Sequence, residues 1–290
     1  MARTASTKKA TAGATILEFD TEAIKAREAE VAQETDEEIY ERLAERFMIL
    51  DEMTKAVKTG DVRAMIVSGP PGVGKSFGVE AVLNKDSLFD KLAERKPKFE
   101  VVKGTASAVG LYAKLYEFSA KGNVIVFDDC DSLFFDDTCL NLLKAALDTS
   151  DRRWISWNTD SRLLRSEGIP DRFEFRGSVI FISNIKFAHV RSKRLKDHLT
   201  ALESRCHYID LEMDTQREKI LRIKQVIREK KMLASYDLES GAQEELIDYI
   251  ESNKDSLREL SLRTVIKAAD LRKSFPNSWK TMAKTTLMRR

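Results

Sequence analysis

Apolar residues recur along this chain in two rhythms, and the changes between them outline a fold. From Glu22 to Lys58 the chain is charged and free of Gly and Pro, and Ile39, Leu43, Phe47 and Leu50 return at intervals of three and four. That spacing belongs to one face of a helix. Gly60 closes the run with a residue that takes a left-handed backbone at no steric cost. Short apolar runs then alternate with helical ones. The pattern predicts strand Ala64 to Val67, a helix from Lys75, strand Phe99 to Val102, a helix around Leu111 to Ser119, strand Val124 to Phe127, a helix over Thr138 to Leu147 and strand Val179 to Ile182. Such alternation implies a parallel sheet with helices on both faces. From Thr215 onward the rhythm is only helical, over Gln216 to Lys231, Gly241 to Ser252 and Leu257 to Lys273. The fold class expected is therefore α/β, with a sheet domain over 21–210 and a small helical domain over 211–290. Residues 1–20 are small and polar, and are expected to be a disordered tail.

Composition narrows the setting. With 290 residues and 42% apolar content, the chain can bury one sizeable core and a smaller one. No stretch approaches the roughly 18 apolar residues of a membrane span, and the N-terminus lacks an apolar signal core. A cytoplasmic protein without a membrane partner is expected. Cys130, Cys139 and Cys206 form no CxxC pair, and only Cys206 has a histidine beside it, so structural zinc and a disulfide framework are not expected. The net charge of +2 is too small to argue for nucleic acid. Its distribution is uneven: nothing acidic follows Asp270, and the tail carries Arg272, Lys273, Lys280, Lys284, Arg289 and Arg290.

The chemistry concentrates after the first strand. Met65 to Ser68 run into Gly69-Pro70-Pro71-Gly72-Val73-Gly74-Lys75-Ser76, the pattern GxxxxGKS, and a helix can start at once behind it. In that context the backbone N–H groups of the turn converge on one small volume suited to a polyphosphate. The glycines allow backbone angles closed to other residues, Lys75 brings positive charge to the β and γ phosphates, and the Ser76 hydroxyl is a ligand for Mg²⁺. The loop leaves adenine and guanine equally open. A second strand, Val124 to Phe127, ends in Asp128 and Asp129. In P-loop proteins the first such acid holds the Mg²⁺ shell and the next orients or deprotonates water, which assigns Asp128 to the metal and Asp129 to the water.

With these residues in place the chain resembles the AAA+ ATPases, over roughly Ile39 to Lys273. The GPPGVGKS loop is typical of that family, as is the strand followed by Asp128-Asp129-Cys130-Asp131-Ser132-Leu133. Ser183-Asn184 at the end of a strand looks like sensor 1, which implies that Asn184 contacts the γ-phosphate or the attacking water. Ser204-Arg205-Cys206 is similar to the arginine-finger box of clamp-loader subunits, and Leu260-Ser261-Leu262-Arg263 looks like sensor 2, from which Arg263 would reach nucleotide out of the helical lid. The resemblance thus implies an AAA+ core with a C-terminal lid and basic tail, ATP and Mg²⁺ as cofactors, and catalytic roles for Asp129, Asn184 and Arg205. One departure stands out: the family usually has Asp-Glu where this chain has Asp128-Asp129. The shorter second carboxylate is expected to slow hydrolysis.

A finger of this kind usually serves the adjacent subunit, so the resemblance implies a homo-oligomeric ring or spiral, a hexamer by analogy. Between the Asp128 strand and Asn184 lies a long segment, Asp148 to Gly177, in which Arg152 to Trp157 and Phe173 to Phe175 are expected to pair as a β-hairpin. Its placement is similar to the pre-sensor-1 hairpin of branch-migration motors, superfamily 3 helicases and some unfoldases. Arginines beside tryptophans suit base stacking, and equally suit a hairpin packed on its own sheet. The leading expectation is an ATPase that remodels DNA in replication or recombination. The alternatives are a protein-remodelling or assembly chaperone and a slowly hydrolysing nucleotide-dependent scaffold. The compact chain suits a phage or mobile element.

Overall fold

The computed structural model describes residues 29, 31–85, 96–185, 193–239 and 241–289. The tail expected over 1–20 and the first residues of the expected Glu22 helix lie outside this set. The strands are β1 (Ala64–Ser68), β2 (Phe99–Lys103), β3 (Val124–Asp128), β4 (Trp154–Ser156), β5 (Arg172–Glu174), β6 (Ser178–Ser183) and β7 (His207–Asp210). The helices are α1 (Asp36–Thr59), α2 (Lys75–Asn84), α3 (Ala108–Glu117), α4 (Asp137–Ala146), α5 (Arg162–Ser166), α6 (Lys193–Glu203), α7 (Gln216–Arg228), α8 (Ala242–Ser252), α9 (Leu262–Ser274) and α10 (Trp279–Thr286). None of the described helices is long and apolar enough to cross a membrane.

Five strands form one parallel sheet in the order β2-β3-β6-β1-β7. β1, β3 and β6 are buried at every position, as the continuous apolar runs anticipate for strands covered on both faces. Alternate residues feed two cores. Ile66, Phe127 and Phe181 face α3 and α4, whereas Val67, Val126 and Ile180 face α1 and α2. Each fully buried side chain of this size contributes roughly 1.5–3 kcal/mol, so the two layers hold the strand ends in a fixed register. This is the α/β arrangement that the resemblance implies. A third core joins α7 to α10 through Ile223, Leu246, Val265 and Trp279.

Local sequence sets the element ends. The Thr35 hydroxyl accepts from the Glu38 amide and the Glu38 carboxylate accepts from the Thr35 amide, a reciprocal cap that starts α1. Several elements differ from expectation: the helices α5 and α6 have no counterpart in the expected pattern, and the run expected as one helix from Glu22 to Lys58 is interrupted at 32–35, where Thr35 caps α1. β7 pairs with β1 although it reads weakly as a strand, because at the sheet edge only Ile209 is buried. α9 begins at Leu262 rather than Leu257: the Ser261 hydroxyl caps it, and Leu257 instead bridges to Met288. The basic tail is largely the helix α10, with Trp279 and Ala283 buried. Two cations of the basic tail are paired within the chain: Arg272 lies 3.1 Å from Glu245 and Lys280 lies 2.9 Å from the same carboxylate.

The expected hairpin is present as β4 and β5, with Trp154 opposite Glu174, Ile155 opposite Phe173 and Ser156 opposite Arg172. It is anchored from beneath. Ile155 and Phe173 are buried, Phe173 lies edge-on to Tyr112 at 5.1 Å, and the buried Arg153 donates to the Ala146 and Gly177 carbonyls, both at 2.9 Å. The two tryptophans differ in burial. Trp157 packs against Tyr112 at 5.5 Å, while Trp154 is 42% exposed with the Arg172 guanidinium 4.5 Å over its ring.

Candidate functional site

Strand register assembles the site. Ser68 at the end of β1 lies opposite Ser183 on one side and Asp210 on the other, and Asp128 lies opposite Ile182. The glycine-rich loop, Asn184 and the two aspartates therefore emerge together at the carboxyl ends of neighbouring strands, where α/β sheets place ligands. In the loop, Gly72 and Gly74 have φ of 72° and 102°, in the region that favours glycine. At Gly72 space is also decisive: a Cβ there would lie 2.6 Å from the Ser261 Cβ. The Leu262 amide donates to the Gly72 carbonyl at 2.8 Å, so the start of α9 rests directly on the loop.

Lys75 is buried, and its ammonium donates to the Gly69 carbonyl (2.6 Å), the Pro70 carbonyl (2.9 Å) and Asn184 Oδ1 (2.8 Å). Burial lowers its pKa to about 8 against the opposing pull of Asp129 and Asp128. Asn184 Nδ2 in turn donates to Asp129 Oδ1 at 2.7 Å. One amide thus ties the lysine to the second carboxylate. Asp129 stands at φ 54°, a left-handed backbone that Asp tolerates better than most residues, and its amide donates to the Ile182 carbonyl at 3.0 Å. Holding Asp129 in that conformation costs about 1 kcal/mol or more. Asn184 is steadied from behind. The Ser183 hydroxyl donates to the half-buried Asp131 carboxylate at 2.7 Å and accepts from the Ile185 amide at 3.0 Å. Burial raises the Asp131 pKa.

The Ser76 hydroxyl donates to Asp128 Oδ1 at 2.9 Å, and the other Asp128 oxygen lies 3.2 Å from Lys103 Nζ. A hydroxyl and a carboxylate oxygen in contact are the hard donors that Mg²⁺ takes beside phosphate and water oxygens, so the pair fits that ion. Lys103 was not evident in the sequence as a site residue. It reaches Asp128 because Lys103 and Asp128 are paired residues of adjacent strands.

A cavity of about 490 Å³ runs from Lys75, Ser76, Asp128, Asp129 and Asn184 to apolar walls between the sheet domain and the C-terminal helices. Pro71, Gly72, Gly74 and the exposed Arg263 line it too. Gly69, Pro70 and Val73 shape the loop from behind rather than line this space. Arg222 also lines it and was missed. It is 5% exposed, its guanidinium lies 3.2 Å from the centre of the Phe47 ring, and it donates to Gln225 Oε1. Burial lowers its pKa to about 10. The signal was a cation inside the run Ile220-Leu221-Arg222-Ile223, which no amphipathic pattern explains.

Arg205 is elsewhere. It precedes β7, whose first residue, His207, lies opposite Met65, so it sits toward the start of β1 and away from Ser68 and the loop. Its guanidinium donates to the Ala201 carbonyl near the end of α6 at 2.6 Å. Within one chain the structure does not bring Arg205 to Lys75.

No family model matches the chain. Over 256 residues it is 33% identical to the uncharacterized 36.7 kDa protein of the nrdC-mobD intergenic region of Enterobacteria phage T4, covering 88% of this chain and 77% of that protein. The chain belongs to the family of that phage protein. Among solved structures it is similar to the replication initiator DnaA bound to AMPPCP and single-stranded DNA (TM-score 0.46, 15% identity, 82% of this chain). It spans 63% of that DnaA chain. It is also similar to domain III of the Thermotoga maritima replication initiation protein DnaA (TM-score 0.45, 12% identity, 84% of this chain and 91% of that one). A third likeness is to NtrX from Brucella abortus in complex with ATP (TM-score 0.46, 11% identity, 93% of this chain and 58% of that one).

Proposed function

We propose that this family member is an oligomeric AAA+ ATPase that couples ATP hydrolysis to remodelling of DNA. The observation that carries the reading is the hydrogen-bonded chain Lys75–Asn184–Asp129 beside the Ser76–Asp128 pair, at the mouth of one cavity. Loop amides and Lys75 hold the phosphates, and Arg263 adds charge from α9. Ser76 and Asp128 would hold Mg²⁺, which neutralises charge developing on the phosphate oxygens. Asp129 accepts the proton of the attacking water, and Asn184 fixes the direction of that carboxylate. The helical segment over 211–290 acts as a lid on the nucleotide, since Leu262 and Ser261 rest on Gly72.

Arg205 completes the site of a neighbouring subunit, a role supported by its position away from its own Lys75. A head-to-tail ring or spiral, hexameric by analogy, satisfies this need. Inactive Lys75→Ala and inactive Arg205→Ala subunits are expected to recover measurable ATP turnover when mixed, because some interfaces then pair an intact loop with an intact arginine. Mixtures as inactive as their components would contradict a shared site.

DNA as the substrate is supported by the exposed Trp154 under Arg172, a ring and a cation placed for stacking and phosphate contact. Single-stranded DNA is expected to stimulate ATP turnover, with the effect falling steeply as salt rises and disappearing in Trp154→Ala. Turnover indifferent to DNA but raised by a protein substrate would support the chaperone reading instead. A slowly hydrolysing scaffold is the second reading, favoured by the short Asp129 carboxylate already held by Asn184.

A further inference from the structure

We propose that Asp51 and Lys230 read the base at the far end of the cavity and select adenine, through its 6-amino edge, over 6-oxo purines. This rests on the nucleotide reading of the cavity and adds the residues that choose the base. Away from the phosphate end, the walls are Phe47 and Val82 on one side and Val226, Met232 and Ile266 on the other. Apolar walls of this kind take a planar ring by its faces and leave its edge to whatever polar groups remain. Tyr236 and Arg222 are already engaged: the Tyr236 hydroxyl donates to Asp270 at 3.0 Å, and Arg222 bonds Gln225 against the Phe47 ring. Asp51 and Lys230 are the charged pair left facing this half of the cavity.

Asp51 is held in place by its helix. It follows Phe47 by one turn of α1, and α2 approaches it at Gly78, where a Cβ would lie 3.8 Å from Asp51 Oδ1. Burial raises the Asp51 pKa, so the ionised carboxylate gains from any N–H donor brought to it. Lys230 Nζ lies 4.0 Å from Asp51 Oδ2, beyond hydrogen-bond length, which leaves each group capacity for a third partner. Adenine presents an N–H donor at the 6-amino group next to a bare acceptor at N1. The carboxylate accepts from the first and the ammonium donates to the second. A 6-oxo purine in the same pose reverses both, setting an oxygen against the carboxylate and an N–H against the ammonium. The partly buried Asp51 carboxylate facing an oxygen rejects such a ligand far more strongly than a missing apolar contact would, and the more exposed Lys230 adds to the discrimination.

The test is equilibrium binding of ATP, ITP and GTP to the full chain, to Asp51→Ala, to Lys230→Met and to Lys75→Ala. Wild type is expected to bind ATP about tenfold or more tighter than ITP and GTP. Asp51→Ala is expected to bring the ATP to ITP ratio close to one, by weakening ATP and by relieving the repulsion of the ITP oxygen, and the ITP binding it keeps also reports that the variant is folded. Lys230→Met is expected to narrow the ratio in the same direction. Wild type that prefers ITP or GTP overturns the inference. So does an Asp51→Ala variant with the wild-type ATP to ITP ratio; if Lys75→Ala has then lost ATP, the nucleotide site itself still stands. Lys75→Ala that binds ATP like wild type overturns the nucleotide reading and this inference with it.

Discussion

Lys75→Ala is expected to weaken ATP binding by about a hundredfold or more while the protein stays folded. The ammonium is buried at the mouth of the cavity, and its contacts are two loop carbonyls and one amide, none of which carries a full negative charge. Burial without a charged partner in contact is what lowers its pKa to about 8. A triphosphate supplies the missing charge at the place where desolvation makes it worth most. The same desolvation means that deleting the ammonium removes a group the folded state disfavours, so thermal stability should change little. Isothermal titration and a circular-dichroism melt on the same preparation separate the two effects. An Ala variant with wild-type affinity would place the phosphates somewhere other than this loop.

Asp129→Asn is expected to leave ATP affinity near wild type and to lower turnover by about 10²-fold or more, the usual contribution of a positioned general base. The substitution keeps size and keeps an oxygen able to accept from Asn184, and removes only the capacity to take a proton. Asn184→Ala should lower turnover as well, because the left-handed Asp129 then loses the side chain that directs it. Single-turnover hydrolysis, with binding measured in parallel, distinguishes these losses from weakened affinity. Turnover in Asp129→Asn equal to wild type would remove Asp129 from the chemistry and leave the water to another group.

What could be read in advance followed locality. The loop Gly69 to Ser76 is contiguous, each residue type answers one need of a phosphate, and the strands beside it carry continuous apolar runs buried at every position, so chemistry and burial were both legible. The β4–β5 pair was legible as two short runs on either side of a long loop, although the helix α5 inside that loop was not. β7 was not. Its four residues bury only Ile209, and pairing with β1 rather than periodicity makes them a strand. α10 hid behind its cations, since one buried tryptophan in a basic segment carries little periodic signal until α8 supplies Tyr249, 4.8 Å from Trp279.

The residues missed in the site share another cause. Arg222 acts through Phe47 of α1, Lys103 through a cross-strand pairing with Asp128, and Asp51 through the approach of α2 at Gly78. Each depends on elements distant in sequence meeting at one end of the sheet. Arg205 shows the converse. Its place in the order of motifs was readable, but its distance from Lys75 depends on the direction of β7.

The central claim is that the loop, Asp128 and the lid form one ATP site in every chain. Titration of wild-type protein with ATP in the presence of Mg²⁺ tests it most directly. The account predicts saturable binding of one ATP per chain, weakened by removal of Mg²⁺ and lost in Lys75→Ala. The absence of saturable binding at millimolar ATP would contradict it.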